Sequence, residues 1–99
     1  MFKFLKKYYS DIKNGKITLT YQPWETLRVL RGKIYRAHQV GLVRVIDVDF
    51  RYLLEVTEEE AKRCGADSVE IFKNDYKELA ERDVDFEKER AVRVEFEFI

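Results

Sequence analysis

The sequence predicts an α+β fold: a mixed or antiparallel sheet of about five or six strands curled into a small β-barrel, with short helices at its side. Three observations predict it. Val92, Val94, Phe96 and Phe98 alternate with Arg93, Glu95 and Glu97 in a half-buried strand pattern. The apolar run Leu42–Phe50 changes phase part-way, as a strand does at a bulge or sharp bend in a small closed sheet. Thr57 and Ser68 each open a short stretch of helical periodicity with a capping side chain.

Taken in order, Phe2 and Phe4 alternate as a short first strand would. Leu5, Tyr8, Tyr9 and Ile12 then recur at i, i+3, i+4 and i+7, which predicts a short amphipathic helix ending at Asn14-Gly15. Ile17, Leu19 and Tyr21 alternate with Thr18, Thr20 and Gln22, giving a strand with one polar face that Pro23 terminates. Residues 24–30 read as a loop or single turn, and Arg31-Gly32 as a turn into a strand over 33–39. Val40-Gly41 leads into the next strand, whose inward set passes from Val43 and Val45 to Ile46, Val48 and Phe50. Thr57 and Glu60 form a capping box for a helix that stops at Gly65. Ser68 caps a second helix with Val69, Phe72, Tyr76, Leu79 and Ala80 on one face. The charged stretch 82–90 reads as a loop before the last strand.

Ninety-nine residues, 45% of them hydrophobic and 14% aromatic, fit one folded domain spanning 1–99. The lone Cys64 excludes an internal disulfide and a cysteine-built zinc site, and favours a reducing, cytoplasmic setting. No signal peptide is read at the start, and no apolar run reaches the ~18 residues of a membrane span.

A formal net charge of zero conceals a division along the chain. Residues 1–44 carry ten basic side chains against Asp11 and Glu25, a net of +8. Residues 45–99 carry nine basic and seventeen acidic ones, a net of −8. Such asymmetry points to a face for a polyanion, or else to halves that interleave and neutralise each other.

Candidate binding residues follow from that basic half. Thr18, Thr20 and Gln22 share a strand face, joined by Lys16. Hydroxyls and an amide there either contact phosphate, ribose or a base edge, or form a solvated strand face. Trp24 either stacks on a base or packs in the core. Arg28, Arg31, Lys33 and Arg36 are the phosphate contacts, because phosphate binding requires positive charge and little else. His38 has no second ligand nearby, and Asp47 and Asp49 read as ion-pair partners, so neither a metal site nor a cofactor is expected.

Several local motifs resemble the ASCH family, a branch of the PUA-like β-barrels associated with RNA. They are Gly15-Lys16-Ile17-Thr18-Leu19-Thr20-Tyr21-Gln22, Arg31-Gly32-Lys33, Val56-Thr57-Glu58-Glu59-Glu60-Ala61, Cys64-Gly65-Ala66-Asp67-Ser68 and the closing Val92-Arg93-Val94-Glu95-Phe96. The resemblance implies a PUA-like barrel with its ligand cleft between the 16–22 strand and residues 24–36. Some small family members remove an acyl group from N-acetylated cytidine, using a motif lysine, a threonine and a glutamate. Here those positions hold Ile17, Thr20 and Cys64, so only the threonine is kept. The expected function is an RNA- or nucleotide-binding module, non-catalytic, with Lys16, Thr18, Thr20, Gln22, Trp24, Arg28, Lys33 and Arg36 as its site. The alternatives are an amidohydrolase in which Thr20 and Lys16 act together, and a protein-interaction domain. A monomer or weak dimer is expected.

Overall fold

A computed structural model describes all residues, 1–99. Four strands form one antiparallel, curled half-barrel sheet: β1 (Leu19–Gln22), β2 (Ile34–Ala37), β3 (Gly41–Tyr52) and β4 (Arg90–Phe98), in the order β1-β4-β3-β2. The helices are α1 (Tyr9–Lys13), entered through a 3₁₀ turn at Lys6–Tyr8, α2 (Glu58–Arg63) and α3 (Val69–Ala80). The sheet therefore has four strands rather than five or six. The missing one is the predicted first strand: Phe2 makes a single parallel bridge to Ala37 and no ladder.

That short segment nevertheless closes the curl. Phe2 bridges to β2 at one edge of the sheet, and Lys3 is held at the other edge by the Gln22 side chain. The Gln22 amide accepts from the Lys3 N–H at 3.1 Å and donates to the Lys3 carbonyl at 2.9 Å. It thus supplies both bonds that a neighbouring strand would have made. Its second N–H donates to the Thr20 hydroxyl at 2.8 Å, which leaves the fully buried amide satisfied.

The bulge predicted in the long strand lies between Val45 and Asp47, where Val45 pairs with Phe96 and Asp47 with Glu95. Ile46 is the extra residue, and it is turned out to solvent rather than inward. Val43 and Val45 before it, and Val48 and Phe50 after it, pack against the same core. An inserted residue bends and twists its strand, which lets one sheet wrap around Phe2, Trp24, Val29 and Phe96.

A second core lies on the outer face of β1 and β4, where α2 and α3 cover Leu19, Tyr21 and Ala91 with Ala61, Phe72 and Tyr76. Both predicted caps are present: Thr57 and Glu60 form the reciprocal box, and the Ser68 hydroxyl accepts from the Ile71 N–H. At the end of α2 the Ala66 N–H reaches the Ala61 carbonyl and the Gly65 N–H reaches that of Lys62. This paired closure requires a left-handed residue, and Gly65 has φ +98°. A Cβ on Gly65 would come within 2.6 Å of Ile17 and 2.9 Å of the Tyr8 ring.

Two stability predictions follow from these joints. Gln22→Leu removes both partners of the part-buried Lys3 backbone groups and leaves the Thr20 hydroxyl without its donor, and should lower the unfolding free energy by about 1–3 kcal/mol in urea titration. Hydrogen exchange at the Lys3 amide should rise with it. Gly65→Ala should destabilise more than an alanine substitution at exposed Gly15, where nothing lies within 4 Å of an added Cβ.

Candidate functional site

The structure does not bring the eight sequence-predicted site residues together in one site. Thr20, Gln22 and Trp24 are interior. The 18–22 strand has no free polar face, because the Lys3 segment covers the Thr20 and Gln22 side while α3 covers Leu19 and Tyr21. Trp24 packs edge-on against Phe2 with ring centroids 5.3 Å apart, so it offers no stacking surface. The Thr18 hydroxyl faces Arg63 at 3.5 Å instead of joining Thr20. Lys16 is exposed ahead of β1, on the opposite edge of the sheet from Lys33 and Arg36.

The remaining residues do come together. Arg28, Arg31, Lys33 and Arg36 follow one another along the exposed loop and into the edge strand β2. None has a carboxylate within 4.0 Å, whereas Lys3, Lys7 and Arg44 are paired with Glu81, Asp75 and Glu97. Arg28 lies over the Trp24 ring, 5.7 Å from its centroid, so the buried indole seats a cation at the surface. The turn that presents Lys33 is built by Gly32, whose φ is +83° and whose N–H bonds the Val45 carbonyl at 2.7 Å. The result is a basic ridge along residues 28–36, exposed and without a carboxylate within 4.0 Å of its cations.

Beside the ridge is a bare stretch of sheet. Residues directly opposite in an antiparallel ladder share a face. Ile34 stands opposite Arg44, which stands opposite Glu97, and Arg36 stands opposite Leu42. Their inward neighbours Tyr35, Val43, Phe96 and Phe98 pack into the core, so this set faces outward. The helices cover only the β1 and β4 side, and Ile34 and Leu42 remain 48% and 44% exposed.

The implied cleft between the 16–22 strand and residues 24–36 is absent: Trp24 and Val29 fill that space with core. A small cavity lies on the other side of β1, between the N-terminal segment and α3. It has a volume of about 50 Å³ and a mostly apolar lining that includes Phe4, Leu19, Phe72 and Leu79. Ile17, Thr20 and Cys64 all line it, whereas Lys16 does not. Burial, with the nearby Glu60 carboxylate, pushes the Cys64 thiol up to about 12, so it is protonated at neutral pH. Tyr8 donates a short hydrogen bond to Asp75 at the same cavity, and Lys7 meets the other Asp75 oxygen at 2.7 Å. Burial and the Asp75 bond raise the Tyr8 pKa, so the phenol stays neutral.

Sequence reasoning did not foresee the polar seam under α2. Glu60 accepts from the Tyr21 hydroxyl and from Arg93 Nε, both at 3.0 Å. Arg93 also reaches Glu95, which Arg63 binds at 3.1 Å. The capping box gave Glu60 a local role, but nothing local marked Arg93 as interior. Burial by itself would raise the Glu60 pKa. The Thr57 N–H, Arg93 and Tyr21 outweigh it and hold the carboxyl below its ordinary value. No group of three or more His, Cys, Asp or Glu side chains is placed to hold a metal ion. No helix is long and apolar enough to cross a membrane.

Comparison with family models, curated proteins and solved structures finds no match to this chain.

The depressed Glu60 pKa fixes the direction of a pH effect. Its contribution is present above the unfolded-state carboxyl value and is lost as pH falls through the lower folded value. Glu60→Gln should therefore destabilise the protein at pH 7 by about 2 kcal/mol, the scale of a hydrogen bond to a charged group. The gap from wild type should narrow in urea titrations at pH 3.

Proposed function

We propose that this protein is an RNA- or nucleotide-binding module that engages its ligand through phosphate contacts along the loop–β2 ridge. The observation that carries this reading is the run Arg28, Arg31, Lys33 and Arg36, four exposed cations with no carboxylate in reach. Five of the other arginines, Arg44, Arg51, Arg63, Arg82 and Arg93, each hold an acid, while cations without one also occur elsewhere, among them Lys62, Lys73 and Lys77 on the helices. Counter-ions condensed on a nucleic acid are released when such free cations replace them, and that release drives association. Lys16 adds a contact only for a ligand long enough to reach the opposite edge.

The resemblance to the ASCH family and to PUA-like barrels belongs with this reading. Support for it is the convergence of Ile17, Thr20 and Cys64 on one cavity, as the motif alignment requires. At those positions the chemistry is apolar. An aliphatic chain and a protonated thiol stand where a base and an acid would be needed. The Thr20 hydroxyl accepts from Gln22, and Lys16 lies outside the cavity. The volume is well short of the ~150 Å³ that admits a benzene ring. Hydrolysis of an acylated nucleoside by Thr20 and Lys16 therefore has neither an assembled nucleophile–base pair nor room for the base.

Fluorescence anisotropy with labelled RNA oligonucleotides across a salt series tests the reading. Affinity should fall steeply with salt. Arg31→Ala/Lys33→Ala should reduce the log–log slope by roughly 0.7 per phosphate contact removed. Absence of binding at low salt, or a slope that the double variant leaves unchanged, would overturn it.

A further inference from the structure

The ridge explains attraction to phosphates but leaves its apolar neighbours unexplained. Leu30 is 65% exposed between Val29 and Arg31, and Ile34 and Leu42 sit on the bare outer sheet face with Arg36 and Arg44 among them. An exposed aliphatic side chain on a strand is ordinary when single. Here Ile34 and Leu42 lie on adjacent strands, diagonally across from one another, with the exposed bulge residue Ile46 further along β3. Each arginine also stands directly opposite one of the aliphatic residues: Arg44 opposite Ile34, and Arg36 opposite Leu42.

We infer that the outer face of β2 and β3 is a platform for unpaired bases, and that the ligand is single-stranded nucleic acid lying across it. This rests on the nucleic-acid reading of the ridge and names the form of nucleic acid that the site takes. A duplex presents phosphates and buries its base faces, so it has nothing to offer Ile34 and Leu42. A single strand presents both, and unstacked bases are the usual targets of sheet-surface recognition. The guanidinium planes of Arg36 and Arg44 can lie flat against bases, while Arg31 and Lys33 at the strand edge hold the backbone. The charge of the face suits a polyanion. Its acids on β3 are Asp47 and Asp49, both beyond the bulge, of which Arg51 holds Asp49 at 2.8 Å, and Glu97 on neighbouring β4 is neutralised by Arg44 at 2.8 Å. A second copy of the chain would bring the same cations against these.

Anisotropy with a single-stranded 12-mer RNA, its duplex form and anionic phosphatidylserine vesicles decides the matter, using the intact chain and Ile34→Ser/Leu42→Ser. Both changed side chains are exposed, and a thermal melt of the variant should match wild type. Wild type should bind the single strand at least about tenfold more tightly than the duplex. The variant should lose about five- to tenfold on the single strand with its salt slope unchanged, because no phosphate contact has been removed. Arg36→Ala should lose more affinity for the single strand than for the duplex, which keeps the test open if the serine variant proves unstable; an equal loss on both forms overturns the platform.

Equal binding of single strand and duplex, or a folded serine variant with wild-type affinity, overturns the platform while leaving the ridge reading intact. Binding of vesicles and of neither RNA form overturns both.

Discussion

The structure depends on one side-chain amide. A curled four-stranded sheet has two free edges, and here the chain's own start ties them together, with Phe2 on β2 and Lys3 on Gln22 of β1. Gln22 acts as a piece of strand turned sideways, giving Lys3 an acceptor and a donor in the geometry of a ladder. With that joint made, Phe2 and Phe4 lie over the inner core beside Trp24 and Phe96. The Thr20 and Gln22 side of β1 is sealed in consequence. The surface open to a large ligand is therefore at the other edge of the sheet, on β2 and the loop before it.

Electrostatics divides in the same way. On the α2 and α3 side, cations serve the fold: Arg93 lies at the boundary of the outer core and is balanced by Glu60 and Glu95. A buried guanidinium with two carboxylates and a tyrosine hydroxyl around it is satisfied, and satisfied charge attracts nothing from outside. On the loop and β2, the arginines and lysine have no such partners. The net charge of zero is thus the balance of unpaired cations, foremost those of 28–36, against unpaired acids that lie mostly between 55 and 87, such as Glu59, Glu70, Asp83 and Glu87.

The cavity behind β1 is a product of packing. Ile17, Thr20 and Cys64 meet around about 50 Å³ because β1 and the end of α2 are pinned by Gly65 against Tyr8 and Ile17. Aliphatic and thiol groups there stabilise the packing of the N-terminal segment on α3. They supply no proton transfer, and the Cys64 thiol is held neutral by its surroundings. Apolar packing thus occupies the β1 edge of the sheet, and the unpaired cations of 28–36 lie at the β2 edge.

Much of the fold was legible in local pattern. Helix boundaries at Thr57, Gly65 and Ser68 follow from caps that act within a few residues, and all appear as read. The bulge near residue 46 was visible as a change of phase, and the free cations of 28–36 as composition. Contacts between distant residues were not legible. Period-2 alternation states that Thr20 and Gln22 share a face, but only the arrival of Lys3 nineteen positions away decides that the face is buried. The same pattern placed Arg93 outward, and α2 then covered it with Glu60. By itself the sequence determined element types, caps and the sign of the charge along the chain, because each depends on near neighbours. Which polar residues are spent on the fold and which stay free for a ligand was decided by tertiary structure, since burial is a property of what packs on top.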